Sequence, residues 1–463
     1  MKKMLLVFFL PVFAGAQNDH AELLKQYMTG QNKYFRFSGN ILVAEKGKPI
    51  YQQALGYADY NSKRMLNDSS VFELASVSKQ FTAMGIMILK ERELISYEDN
   101  IRKFFPQLPY DNITVRNLLT HTSGIPSYEA QFEKNWDKKK IAFNKDIVDM
   151  LQKLKDTLLF KPGSKWRYSN TGYALLASII EKVSGMSYND FMAQNIFQPL
   201  AMKHTSIYNT RRSTRKIPDN YALGFVYSDS LKRYILPDEL PAFDIVYYLD
   251  GIVGDGTVNS TTGDLFKWDR ALYSNKLVNK AALDEMLSPL VQTNPADSNS
   301  FYGFGVNVQP KSGKGKVISH GGGWPGYHTL IVRYPEKDET MIILSNNEAN
   351  LAFFRAAVES ILNNEPLVMP YEHKEIKIDT SILSNYVGKY STGVAMQFIK
   401  KDGKLYRHRN GTPDIELKPE SNTKFFYGDG TDRQIEFEID SNGKVTKTWF
   451  LNMGQKGELK KVE

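Results

Sequence analysis

The chain has 463 residues, 42% of them hydrophobic and 24% charged, a composition that excludes a disordered protein and a length that calls for more than one domain. The formal net charge of +8 is modest for that length, and the basic clusters at 138–140 and 211–216 have no aromatics between them, so both read as exposed loops and no nucleic-acid partner is expected. Cysteine is absent, which excludes disulfides and thiol chemistry and leaves stability to core burial.

Lys2 and Lys3, the apolar run 4–13 and Ala14-Gly15-Ala16 read as a signal peptide of residues 1–16 cleaved before Gln17. The apolar run is too short to span a bilayer permanently. Export to the periplasm or beyond is therefore expected, for a mature chain with no integral membrane segment. Its positive charge allows a weak association with an anionic cell envelope.

Residues 41–44 and 50–56 form a strand pair around the turn Lys46-Gly47-Lys48-Pro49. Next comes Ser76-Val77-Ser78-Lys79, heading a run (81–89) that is apolar on nearly every face and so belongs in a core. A serine and a lysine three apart share a helical face. A hydroxyl needs a neighbouring base to become a nucleophile, and a lysine serves once burial and nearby cations lower its pKa from about 10.4. The S-x-x-K spacing also begins at Ser213, Ser421 and Ser441; those lie in a polar run or among turn signals. A helix capped by Thr114 runs to Leu119 and stops near Ser123-Gly124.

The chain up to about 290 reads as helical, with an apolar helix over 173–183 and an amphipathic one over 264–272. Strands return at 304–308, 327–334 and 340–344, and a helix at 353–362 closes the segment. Strands at both ends thus bracket a helical middle. The expected packing is a mixed α/β (α+β) one: an antiparallel sheet from the N- and C-terminal parts, flanked by helices, plus a helical lobe, with the site in the crevice. Residues 363–370 read as a linker. Short alternating runs punctuated by Asp402-Gly403, Asp429-Gly430 and Asn442-Gly443 then mark a small all-β domain, a barrel or sandwich. The expected domains are 17–365 and 366–463.

Two further clusters carry chemistry. Tyr168-Ser169-Asn170 precedes the 173–183 helix; a tyrosine can relay protons, and Asn170 can bond both an amine and a carbonyl. His320-Gly321-Gly322-Gly323 precedes the strand at 327, and a strand N–H there can join that of Ser76 in an oxyanion hole. His320 to Gly323 also matches the HGGG word of lipases, but the G-x-S-x-G elbow that fold requires is absent. No H-E-x-x-H spacing occurs, so neither metal nor cofactor is expected. His121 reads as structural, and His328 as a strand residue near the site. Trp324 and Tyr327 are candidates for the acyl pocket or for core packing.

Taken together these words resemble the serine hydrolases of β-lactamase fold: class C β-lactamase relatives, D-alanyl-D-alanine carboxypeptidases and penicillin-binding esterases. Ser76 to Lys79, Tyr168 to Asn170 and His320 to Gly322 look like the three motifs, in order. Leu118-Leu119-Thr120-His121-Thr122-Ser123-Gly124, Pro162-Gly163-Ser164 and Tyr302-Gly303-Phe304-Gly305 resemble the flanking words. The resemblance covers about 20–365, and the C-terminal part resembles the small β accessory (barrel or lipocalin-like) domain of such proteins. It implies acylation of Ser76, proton transfer shared by Lys79 and Tyr168, and Asn170 positioning Lys79 and the substrate carbonyl. It further implies an oxyanion hole from the Ser76 and Gly323 amides, with His320 and Gly322 beside it. His320 and Gly321 stand where β-lactamases have Lys-Thr or Lys-Ser. A neutral imidazole binds a carboxylate less well than an ammonium, which favours esters, amides or D-amino-acid peptides of cell-wall type over β-lactams. A small-molecule or short-peptide substrate is expected; a true β-lactamase and a non-catalytic penicillin- or peptide-binding sensor are the alternatives.

Overall fold

The computed structural model describes residues 19–154, 158–210, 217–311, 315–391 and 395–462. Residues 1–16, read above as a signal peptide, and the basic run 211–216, with Ser213, lie outside the described residues. The chain divides into two compact units, one of residues 36–352 and one joining the N-terminal helix α1 (His20–Phe35) to the chain from 353 onward.

In the first unit the predicted strand pair forms as β1 (Gly39–Glu45) and β2 (Lys48–Leu55), with a register shift between Val43 and Ala44. They join β3 (Val291–Gln292), β4 (Phe301–Tyr302), β5 (Asn307–Lys311), β6 (Gly315–Trp324), β7 (Tyr327–Tyr334) and β8 (Glu339–Ser345). The spatial order is β3-β4-β5-β6-β7-β8-β1-β2, and neighbouring strands run antiparallel. The N-terminal pair therefore completes a sheet whose other strands come from beyond residue 290, as expected. One strand departs from expectation: residues 315–324 form a full inner strand, although Gly321-Gly322-Gly323 reads as a loop by propensity. The three glycines pair with Leu330, Thr329 and His328 of β7, and that pairing overrides the weak β preference of glycine.

The helices are α2 (Lys79–Glu91), α3 (Val115–Leu119), α4 (Tyr128–Asn135), α5 (Asn144–Lys153), α6 (Asn170–Ser184), α7 (Tyr188–Met192), α8 (Ile245–Tyr248), α9 (Thr262–Ala271), α10 (Lys280–Met286) and α11 (Leu351–Leu362). From Lys79 to Leu89 every residue of α2 is buried, which is why its sequence is apolar all round. Phe81 packs on Trp268 of α9 with ring centroids 4.5 Å apart. The Thr114 cap appears as a capping box with Asn117. α6 starts three residues ahead of the predicted helix, because Ser169 accepts the Gly172 N–H as its N-cap.

In the second unit, β9 (Gly388–Ser391), β10 (Ala395–Lys401), β11 (Lys404–His408), β12 (Ile415–Pro419), β13 (Lys424–Tyr427), β14 (Arg433–Ile439), β15 (Val445–Asn452), β16 (Gln455–Glu458) and β17 (Lys460–Lys461) form a meander. The last strand pairs with the first, Tyr390 opposite Lys461, so the nine strands make a nearly closed barrel. Its interior is filled by Tyr390, Phe398, Leu417, Phe425, Ile435 and Phe437. The decoy Ser421 sits in a β-turn, where its Oγ accepts the Lys424 N–H at 2.9 Å.

Candidate active site

Ser76 lies in a single 3-10 turn, Ala75–Ser78, and α2 begins at Lys79. In a 3-10 turn residues three apart eclipse one another, which brings Lys79 closer over Ser76 than α-helical spacing would. The turn is pinned from several sides. Leu74 N–H donates to Val258 O at 2.8 Å, Thr329 Oγ1 donates to Leu74 O at 2.7 Å, and Val258 N–H donates to Ser78 Oγ at 3.1 Å. Ala75 is held at φ +47°, a left-handed conformation costing a non-glycine residue about 1–3 kcal/mol. Strain next to the serine is tolerated because these bonds over-determine the turn.

Lys79 is fully buried. Its Nζ donates to Ser76 Oγ at 3.0 Å and to the main-chain O of Asp255 at 2.7 Å. It also lies 4.9 Å from the centroid of the Tyr168 ring and 5.7 Å from that of Tyr173. Tyr168, from a distant part of the chain, thus meets Ser76 and Lys79 around one amine. The word Tyr302-Gly303-Phe304-Gly305 acquires a reason here. Gly305 has φ +72°, and a Cβ on it would stand 2.7 Å from Lys79 O.

β6 passes directly over the serine. A Cβ on Gly322 would fall 2.2 Å from Leu74 O and 3.1 Å from Ser76 N, so only glycine lets the strand approach the amide. Gly323, paired with His328, lines the same cleft as Ser76.

His320 does not reach the cleft. It is buried with both ring nitrogens engaged: Nδ1 donates to Gly321 O at 2.7 Å, and Nε2 accepts the Tyr302 hydroxyl at 3.0 Å. Burial, then the charge of Lys79, pushes its pKa down to about 3, so the ring is neutral. Asn170 lines the cleft but bonds away from Lys79. Its Nδ2 donates to Glu129, a residue no sequence signal had marked, while its Oδ1 is buried without a hydrogen-bond partner among the described residues. Lys79 therefore takes Asp255 O, not Asn170, as its second acceptor.

His121 has the structural role expected of it. Held at φ +60° after α3, it accepts the Ser169 N–H on Nδ1 at 3.1 Å and packs on Tyr168 at 4.3 Å between centroids. Burial and the Lys79 charge hold it well below the ordinary histidine pKa. Tyr327 is core, its hydroxyl bonded to Ala222 O at 2.7 Å, whereas Trp324 and His328 line the cleft. That cleft has a volume of about 880 Å³. A smaller one of about 210 Å³ is bordered by Tyr168 and Asn170.

Asp255 was also invisible in the sequence. Its carboxylate accepts the Tyr128 hydroxyl at 2.7 Å, and burial raises its pKa from 3.8 to about 6 against the opposing pull of Lys79 and Tyr128. A carboxyl raised in the folded state adds stability that is complete below pH 3.8 and is lost as pH climbs through about 6. Asp255→Asn keeps an acceptor for Tyr128 and removes the titration. Unfolding in urea should therefore show the variant gaining on the parent between pH 4 and 8, by up to about 3 kcal/mol. Parallel pH dependences would refute this.

The chain can now be set beside known proteins. A model of the family described as Beta-lactamase matches residues 21–363. Penicillin-binding protein 4* of Bacillus subtilis (strain 168) is 45% identical over 443 residues, 94% of this chain and 97% of that protein. In fold, the chain is similar to the octameric penicillin-binding protein homologue from Pyrococcus abyssi (TM-score 0.67, 24% identity, 95% of this chain and 99% of that one). It is also similar in fold to D-amino acid amidase from Ochrobactrum anthropi SV3 (TM-score 0.60, 24% identity, 75% and 98%). With its three motif regions gathered around one buried lysine, this chain belongs to the β-lactamase family of serine hydrolases.

Proposed function

We propose that the protein hydrolyses esters or amides, including D-amino-acid peptides of cell-wall type, through an acyl-enzyme on Ser76. The observation that carries this reading is the 3.0 Å contact between Lys79 Nζ and Ser76 Oγ at the head of a buried helix. Ser76 Oγ bonds to the substrate carbonyl carbon while its proton passes to the Lys79–Tyr168 pair. The amides of Ser76 and Gly323 hold the oxyanion. The bond to the leaving group breaks, and the leaving group takes the proton. Water then attacks the acyl carbon and gives a proton to Tyr168; the bond from the acyl carbon to Ser76 Oγ breaks, the carboxylic acid leaves, and that proton returns to Oγ to restore the Ser76 hydroxyl. His320 acts from behind the strand and Asn170 from the cleft wall.

β-Lactams are proposed as acylating agents but poor substrates. The position that would carry a carboxylate-binding cation holds a neutral imidazole bonded internally on both nitrogens. Residues 1–16 are proposed to direct export to the periplasm or outside, and the segment after 365 to act as an accessory domain. Among the described residues no helix is long and apolar enough to cross a membrane.

The test compares kcat/KM on a short-chain nitrophenyl ester and on a chromogenic cephalosporin, with mass spectrometry of Ser76 after a fluorophosphonate. The ester should be preferred and Ser76 should carry the adduct. A preference for the cephalosporin by orders of magnitude would make the protein a true β-lactamase. An unlabelled Ser76 would leave a binding or sensing protein.

A further inference from the structure

The start of α4 grips two residues that stand beside the catalytic amine. Ser127 is the N-cap of this helix, and Tyr128 and Glu129 open its first turn. Tyr128 donates its hydroxyl to the Asp255 carboxylate at 2.7 Å, and the main-chain O of Asp255 accepts Lys79 Nζ at 2.7 Å. Glu129 uses both carboxylate oxygens. One accepts Ser127 Oγ at 2.6 Å, and the other accepts Asn170 Nδ2. Ser127, Glu129 and Asn170 line both the large cleft that holds Ser76 and the small one bordered by Tyr168, so the Glu129–Asn170 pair belongs to a wall the two clefts share.

A carboxylate only accepts hydrogen bonds, so the Asn170 amide can meet Glu129 through its nitrogen alone. That fixes which way round the amide stands. Its Oδ1 has no hydrogen-bond partner among the described residues, and Lys79 directs its own bonds to Ser76 Oγ and Asp255 O. A hydrogen bond to a charged acceptor is roughly twice as strong as one to a neutral carbonyl. A substrate carbonyl therefore does not displace Glu129 from Nδ2. A carbonyl oxygen brought to the second Nδ2 hydrogen would instead approach a carboxylate oxygen of like partial charge. We infer that Glu129 is a specificity-determining residue, which holds the Asn170 amide away from the acyl side of the substrate. An acylamino carbonyl beside the scissile bond then gains no hydrogen bond there, and plain acyl chains compete with N-acylated ones. This rests on the hydrolase reading above and deepens it on the acyl side only; the covalent steps at Ser76 are unchanged.

The experiment compares nitrophenyl propionate with the nitrophenyl esters of N-acetyl-D-alanine and N-acetyl-L-alanine, whose acyl groups differ from propionyl only by the acetamido group. The quantity read is the ratio of kcat/KM, acetamido ester over plain ester, in the full chain and its variants; intrinsic ester reactivity cancels between proteins. Glu129→Ala should raise that ratio about fivefold or more for at least one enantiomer, the size of one gained neutral hydrogen bond. Ser127 still accepts the Ala130 N–H at 3.2 Å in this variant, and the like charge of Glu133 one turn on is relieved, so α4 should hold. Glu129→Gln keeps an acceptor without the charge and should fall between parent and alanine variant. In an Asn170→Ala background the Glu129→Ala change should leave the ratio where it was, which a general loosening of α4 would not do. An unchanged ratio in both Glu129 variants, or the same rise with Asn170 removed, would overturn the inference and leave the hydrolase standing. A parent chain that turns over none of these esters would overturn both.

Discussion

Lys79→Met is expected to lower kcat/KM on a nitrophenyl ester by about 10³-fold or more, the upper part of the range for losing a general base. Methionine is close to lysine in length, and the surroundings of Lys79 are fully buried, so the fold should survive. What disappears is the amine 3.0 Å from Ser76 Oγ and 2.7 Å from Asp255 O. Tyr168→Phe should cost less, about 10²-fold, because the ring that faces Lys79 and packs on His121 remains and only the hydroxyl is lost. Rates of acylation by a fluorophosphonate, measured beside circular dichroism, separate chemistry from folding. A folded Lys79→Met protein that keeps more than about a tenth of the parental acylation rate would show that the lysine is a structural residue.

What could be read from the sequence, and what could not, divides along a physical line. Side-chain periodicity is local, so the β1–β2 pair, the burial of α2 and the C-terminal meander were all legible. So was the decoy status of Ser421, whose neighbours are turn formers. The extent of β6 was hidden because three of its last four residues are glycines, whose presence in a strand is decided by the neighbour, β7, that pairs with them. The acceptor for Lys79 was hidden for a different reason. It is a main-chain carbonyl, at Asp255, and every residue type supplies one. The inward turn of His320 depends on Tyr302, a partner 18 residues away that its own motif does not mention. The bond from Asn170 to Glu129 joins residues 41 apart in the chain, and no linear pattern records that they converge.

Gly322→Ala should damage catalysis directly, because the added methyl falls against the serine turn. The added Cβ would lie 2.2 Å from Leu74 O and 2.3 Å from Thr329 Oγ1. Thr329 can rotate away, at the loss of its 2.7 Å bond to Leu74 O. Leu74 O cannot move alone, since it belongs to the backbone that sets Ala75 at φ +47° and aims the Ser76 amide. Either β6 lifts from the turn or the turn shifts, and both separate the Ser76 and Gly323 amides from a common oxyanion. A displacement of about 1 Å at such a site costs about 10²-fold in rate, and the overpacking costs about 1–3 kcal/mol of stability. The control is the adjacent glycine. A Cβ on Gly321 meets nothing closer than Thr329 O at 3.7 Å, an ordinary contact, so Gly321→Ala should stay within about threefold of the parent. Ester kcat and urea midpoints for the two variants decide the matter: equal behaviour would mean that β6 does not hold the serine turn, and that the oxyanion donors must be sought elsewhere.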